Sequence, residues 1–225
     1  MIRIIGDTHG DRDRFGKLAE YGEKEWNGND ILIVTGDFGF IFANSDYERE
    51  FLDELEKKPY TICFCDGNHE NFPAIYSFPK EKWNGGRVHR IRKNILHLMR
   101  GQVFTIEGKK FFTMGGAYSL DKYRRYENLS WWKEELPNNA EYTEAISNLK
   151  ENGNCVDYVI THTAPRYIIR MLGFEPSMRD MELTGFFDWI RHDVKFKHWY
   201  FGHWHKDRDL EGKYSALYYD MKTIE

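Results

Sequence analysis

Met1-Ile2-Arg3-Ile4-Ile5-Gly6-Asp7-Thr8-His9-Gly10 opens the chain, and Ile31-Leu32-Ile33-Val34-Thr35-Gly36-Asp37 follows one helical stretch later. Each is a short, β-branched apolar run that stops at a glycine and an acid. Runs this continuously apolar read as strands buried on both faces, as in parallel sheets covered by other layers. The same punctuation recurs further on. The run 60–65 stops at Asp66-Gly67-Asn68-His69-Glu70, the run 156–161 ends in Thr161-His162-Thr163, and the run 198–201 stops at Gly202-His203-Trp204-His205. In open α/β sheets, ligands gather outside the carboxyl ends of the strands. The five turns therefore aim Asp7, Asp37, Asn68, His9, His69, His162, His203 and His205 at one edge, with five of the chain's nine histidines among them.

Between these strands the pattern changes to helical spacing. Residues 11–26 read as a helix with Phe15, Leu18 and Ala19 on one face and Asp11 as its N-cap. Residues 46–58 read as a charged helix with Phe51, Leu52 and Leu55 inward. Residues 87–114 are β-rich, with a hairpin 102–106/109–114 around Glu107-Gly108. The stretch 115–139 has no clear period and holds Gly115-Gly116, Trp131-Trp132 and Pro137, the signature of a long ordered loop of the functional kind. Helices over 140–151, 165–172 and 180–192 and a terminal strand over 213–220 complete the reading. Alternating strands and helices make an α/β layered fold. No stretch has linker composition, so residues 1–225 are expected to form a single domain.

Composition narrows the function. The 225 residues are 41% hydrophobic and 30% charged, a globular balance. Lys plus Arg is 32 against 36 Asp plus Glu, a net charge of −4, which excludes a bulk nucleic-acid coat or a polybasic membrane binder. Cys63, Cys65 and Cys155 are too few for a disulfide framework and lack the partners of a zinc knuckle. Cys63 and Cys65 alternate, so both face the same packed side of their strand. Free thiols, the absence of a signal-peptide core before Gly6-Asp7, and the absence of any run near the ~18 apolar residues of a span lead to an expected cytoplasmic location and no membrane partner.

Gly-Asp or Gly-Asn alone is an ordinary turn signal, and a single histidine at a strand end is most often structural. His89, His97, His192 and His198 read that way. The information lies in the joint pattern. Carboxylate and imidazole together suit manganese, iron, zinc, cobalt or nickel rather than calcium. A two-metal site needs about seven protein donors with one carboxylate shared.

The ordered set Asp7-x-His9, Gly36-Asp37, Gly67-Asn68-His69-Glu70, His162 and Gly202-His203-x-His205 resembles that of the calcineurin-like metallophosphoesterase superfamily, and the resemblance spans residues 6–205. The loop Gly115-Gly116-Ala117-Tyr118-Ser119-x-Asp121-Lys122 further resembles small bacterial and phage members. The resemblance implies a four-layer α-β-β-α sandwich, two mixed sheets packed face to face with helices outside. It implies two divalent transition metals, manganese first, with iron, zinc, nickel or cobalt as alternatives. Asp7, His9 and His205 would bind one ion and Asn68, His162 and His203 the other, with Asp37 bridging them and His69 as the catalytic imidazole. One position departs from the pattern. Where family protein phosphatases carry an Asp that orients this histidine, and purple acid phosphatases a metal-binding Tyr, this chain has Phe40.

The activity implied is hydrolysis of a phosphate mono- or diester by a hydroxide bridging the two metals, with His69 stabilising charge or protonating the leaving oxygen. The alternative within the enzyme class is a nuclease or cyclic-nucleotide phosphodiesterase acting on a nucleotide or nucleic acid. Its support is the basic stretch Arg87, Arg90, Arg92, Lys93 and Arg100, together with Lys122, Arg124 and Arg125 in an aromatic-rich loop. A non-catalytic scaffold of the same fold would have lost ligands, and here the full set stands. Substrate recognition is expected in loop 115–137. There Arg125 and Lys122 would meet phosphate oxygens, and Tyr118, Tyr123, Trp131 and Trp132 would close over a leaving group.

Overall fold

The apolar runs become the inner strands of two sheets. The computed structural model describes residues 1–224. Its first half runs β1 (Ile2–Ile5), α1 (Arg12–Gly16), β2 (Ile31–Val34), α2 (Asp46–Glu56), β3 (Thr61–Phe64), α3 (Phe72–Tyr76), β4 (Lys80–Trp83), β5 (Gly86–Arg92) and β6 (Ile95–Leu98). Its second half runs β7 (Gln102–Ile106), β8 (Lys109–Met114), α4 (Asn139–Glu151), β9 (Tyr158–Thr161), α5 (Arg166–Met171), α6 (Met181–Asp193), β10 (His198–Phe201), β11 (Arg208–Leu210), β12 (Tyr214–Ala216) and β13 (Met221–Ile224).

One sheet has the order β13-β1-β2-β3-β6-β5-β4 and the other β11-β12-β10-β9-β8-β7. In both, four parallel strands form the centre and antiparallel strands the margins. Strand alternation then sorts the side chains into layers. Ile2, Ile4, Ile31, Ile33, Cys63 and Cys65 face Phe104, Phe111, Ile160 and Tyr200 across the gap between the sheets. From the opposite face of the first sheet, Leu32, Val34, Ile62 and Phe64 pack on Phe15, Phe51, Leu52 and Leu55. Val159, Trp199 and Phe201 of the second sheet pack on Leu149, Ile168, Ile169, Leu183 and Phe187 from α4, α5 and α6. The result is two mixed sheets face to face with helices on both outer sides.

Local chemistry fixes the helices that matter. Ser45 and Glu48 form a capping box at the start of α2, and Phe51, Leu52 and Leu55 are its buried face. The hairpin of β7 and β8 turns on Glu107 and Gly108, with φ of 50° and 75°, the two positive values a tight hairpin turn needs.

Three sequence expectations change. The helix expected over 11–26 is only α1, followed by 3₁₀ turns at Lys17–Tyr21 and Glu23–Glu25. Gly22, whose φ of 74° is left-handed, separates the two 3₁₀ turns. Phe15 and Leu18 are buried, but Ala19 is exposed. The strand expected over 213–220 is only β12, and a separate strand, β13, follows it in the other sheet. After β12, the Asp207 carboxylate accepts the N–H groups of Tyr218, Tyr219 and Asp220 at 2.7, 3.0 and 2.9 Å. These amides are satisfied outside any ladder, and the chain crosses to pair β13 with β1. The charged strand β4 had no apolar signal because it is an edge strand with alternately exposed side chains.

Candidate metal centre

The parallel strands β1, β2 and β3 of one sheet and β9 and β10 of the other deliver their C-terminal turns to one place. The turns are tight and strained. His9, Asp37, His203 and His205 all have left-handed backbones, with φ of 49°, 48°, 66° and 48°. Non-glycine residues occupy this region at a cost, and such residues cluster at functional sites. Two glycines leave room for the donors. A Cβ at Gly202 would strike the Asp7 carboxylate, and one at Gly67 would strike that of Asp37.

The donors converge in two groups. His9 Nε2 and His205 Nε2 lie 2.9 Å apart, and 3.7 and 3.3 Å from Asp7 Oδ2. On the other side, His162 Nε2 lies 3.1 Å from Asn68 Oδ1 and 3.4 Å from Asp37 Oδ2. The His203 ring packs edge-on against His162 at 5.0 Å. Asp7 reaches both groups, since its Oδ1 is also 3.8 Å from His162 Nδ1, and Asp37 Oδ2 lies 3.7 Å from His9 Nδ1. The second Asp37 oxygen accepts the His69 N–H at 2.8 Å, and both Asp7 oxygens accept the His203 N–H at 3.0 Å.

Electrostatics test whether the donor set suits cations. Asp7 and Asp37 are each 1% exposed. Among the described residues their only ion-pairing neighbours are His9, His162 and His205, with no lysine or arginine. Buried carboxylates without a fixed cation are costly. Their charge acts on the nearest imidazole. Burial opposes protonation of His162, yet Asp37 and Asp7 push it up to about 10. Burial raises Asp37 in turn, but His162 and the other imidazoles hold its carboxyl well below the usual range. Burial and the neighbouring His162 push His203 down to about 3, which keeps a nitrogen lone pair free for coordination. A pair of divalent ions fits this arrangement: two carboxylates, four imidazoles and an amide oxygen, arranged in two clusters about a shared carboxylate.

His69 stands beside the donors. Its ring is edge-on to His9 at 5.2 Å. Arg125 Nη2 lies 2.7 Å from its Nδ1 and 2.9 Å from its Nε2. Arg125 is itself held, through Nε to Asp121 at 2.8 Å and through Nη1 to the Ser130 carbonyl at 3.2 Å. Burial lowers the His69 pKa, Asp37 opposes this, and Arg125 adds to it. Phe40 takes no part. It is fully buried against Phe38 and Phe51.

The long loop, Gly115 to Pro137, carries Arg125 to the site, but its other residues divide differently from expectation. Lys122 pairs with buried Glu135 at 2.5 Å and lies 4.4 and 4.0 Å from the ring centres of Tyr118 and Trp131. Trp132 is buried and Tyr123 is 78% exposed. The basic stretch is engaged as well. Arg87 pairs with Glu144, Arg90 with Glu81, Arg92 with Asp53, and Arg100 with Asp66. Lys93 makes no ion pair among the described residues.

Sequence reasoning missed the residues behind the donors. Ser119 accepts the Asn68 side-chain N–H at 3.0 Å and so turns the amide oxygen toward His162. The Thr35 carbonyl takes His162 Nδ1 at 2.9 Å, which leaves Nε2 for the site. Glu70 braces the Asp37 turn by accepting the Phe38 N–H at 2.7 Å. Tyr218 stacks on His205 at 4.3 Å. Thr35, Glu70 and Ser119 stood inside quoted motifs without a role, and Tyr218 had no sequence signal.

An α/β sandwich that gathers buried carboxylates and imidazoles at its strand ends has the form of a metal-dependent hydrolase. The calcineurin-like phosphoesterase family profile matches residues 1–207, and the chain belongs to that family. It is therefore a metal-dependent phosphoric ester hydrolase. None of the curated proteins compared with it shows significant similarity. No helix among the described residues is long and apolar enough to cross a membrane.

Proposed function

We propose that the protein hydrolyses a phosphate mono- or diester at a dinuclear centre. Asp7, His9 and His205 would hold one ion and Asn68, His162 and His203 the other, with Asp37 shared between them. The observation that carries this reading is the pair of buried carboxylates whose only ion-pairing partners among the described residues are imidazoles. Bound divalent ions supply a lowered water pKa and positive charge over the phosphate oxygens. The mixed oxygen and imidazole donors favour manganese, with iron, zinc, nickel and cobalt as alternatives.

The chain's own residues do the rest. His69 is the imidazole left over from coordination. Burial lowers its pKa, with Asp37 opposing and Arg125 adding to the shift, and the Arg125 guanidinium faces both ring nitrogens. The imidazole and the guanidinium together can offset charge as it develops on a phosphate or leaving-group oxygen. Arg125 serves recognition through His69, whereas Lys122 holds the loop through Glu135. Pairing of β13 with β1 joins both ends of the described chain in one sheet and supports a single phosphoesterase domain. Three free cysteines, one of them exposed, support a reducing, cytoplasmic setting.

The test is a panel of mono-, di- and cyclic phosphates assayed with manganese, nickel and magnesium, alongside elemental analysis. Two metals per chain and turnover of at least one ester are expected. Absence of turnover across the panel by protein holding both metals would overturn the reading.

A further inference from the structure

A pocket of about 430 Å³ opens directly beside His9 and His69. Its far wall is the loop 39–45 and the first turn of α2, which contribute Phe42, Ser45, Tyr47 and Glu48. We propose that this pocket receives a planar aromatic group, aryl or nucleobase, of the phosphate ester whose phosphorus sits at the metal centre. The proposal rests on the phosphoesterase reading above and names the class of substrate.

The chemistry of the walls selects the occupant. The one acid lining the pocket, Glu48, is buried and engaged. Its Oε1 accepts the N–H groups of Phe42 and Ala43 at 3.1 and 2.8 Å, and its Oε2 that of Ser45 at 3.0 Å. No free carboxylate or ammonium of the described residues lines the space, and its remaining ionisable groups, His9 and His69, belong to the centre itself, so the far wall offers a second phosphate or a cation no charged partner. The apolar surface comes from two rings. Phe42 packs edge-on against Trp132 at 5.6 Å, and Asn71 donates to its carbonyl at 2.8 Å. Arg12 lies 4.0 Å from the centre of the Tyr47 ring, which is still 51% exposed. Rings held this way are a preformed surface for another flat ring. The volume is in the range of pockets that hold drug-sized ligands and far exceeds what a small alkyl group fills.

The pocket also relocates the recognition expected of the long loop. Lys122 lies over the rings of Trp131 and Tyr118 and Trp132 is buried, whereas Phe42 and Tyr47 line the same pocket as His69.

Phosphonates separate binding from turnover. Calorimetry on metal-loaded protein should show phenylphosphonate and a nucleoside 5′-methylenephosphonate, or one of them, binding at least ~10-fold more tightly than methylphosphonate. The ratio between the two aromatic ligands distinguishes aryl from nucleobase. Phe42→Leu and Tyr47→Ala, the second at a half-exposed position, should reduce the preference to below about 3-fold while methylphosphonate binding is unchanged. Equal binding of aromatic and methyl ligands by the wild type, or an unchanged preference in both variants, overturns the pocket alone. No binding of any phosphonate by protein holding both metals overturns the phosphoesterase reading and the pocket with it.

Discussion

Arg125 Nη2 lies within 2.9 Å of both ring nitrogens of His69, and Asp121 and the Ser130 carbonyl hold the rest of the guanidinium. In the proposed reading Arg125 orients His69, a role that Phe40, buried in the aromatic core, leaves open. Arg125→Ala should lower kcat/KM by about 1.5–3 kcal/mol, the scale of a hydrogen bond to a charged group. Most of the loss should fall on kcat, with metal content and Tm near wild type. A raised KM with kcat unchanged would instead make Arg125 a substrate-binding residue only.

His69 stands beside the donors without being needed to complete either cluster. His69→Ala should retain both metals and the fold while turnover falls roughly 10²–10⁴-fold, the range for a positioned acid–base group. Loss of metal on elemental analysis would make it a ligand.

Asp37 Oδ2 is 3.4 Å from His162 and 3.7 Å from His9, so it is shared between the donor groups. Asp37→Ala should weaken both ions, whereas His205→Ala should weaken chiefly one. A saturating stoichiometry of one metal per chain would contradict the dinuclear assignment.

Asp180, at the start of α6, gives a pH signature independent of metal. Burial pushes its carboxyl up to about 6, with nearby Glu135 adding to the effect. In an unfolded chain the group titrates near about 3.9. The native state thus keeps a proton that the unfolded chain has lost, and this group's contribution to stability falls as pH rises from about 4 to about 6. Asp180→Asn should match the wild-type Tm near pH 4 and exceed it at pH 7. Parallel Tm curves across that window would refute the assignment.

Phe40 packs with its ring centre 4.6 Å from that of Phe51 and carries no hydroxyl. Iron-loaded protein should lack the intense visible band of a phenolate–iron pair. A strong band lost in Tyr218→Phe would shift that role to Tyr218, the tyrosine stacked on His205.

Much of this was legible because the five turns follow fully apolar strands, so their order along the chain gave their place in space. Ile31 to Val34 appears in the structure as the same four-residue strand. What stayed hidden depended on partners distant in sequence. Lys122 and Arg125 looked alike as loop cations, but a buried acid captures one and the imidazole beside the donors takes the other. The strand β4 was hidden by its charges. The break before β13 came from a carboxylate bonding three successive amides, which no periodicity encodes.

The pairing of β1 with β13 sets a kinetic condition. Register from Ile2↔Ile224 to Ile5↔Met221 joins opposite ends of the described chain, and contacts of such long sequence separation form late. While the chain emerges during synthesis, β1 can pair with β2 on one side but keeps an open, apolar edge on the other. That edge is a template for wrong partners until the last strand arrives. Crowded expression at high temperature should therefore send more of this protein into aggregates than its finished stability would suggest, and slower synthesis should recover it.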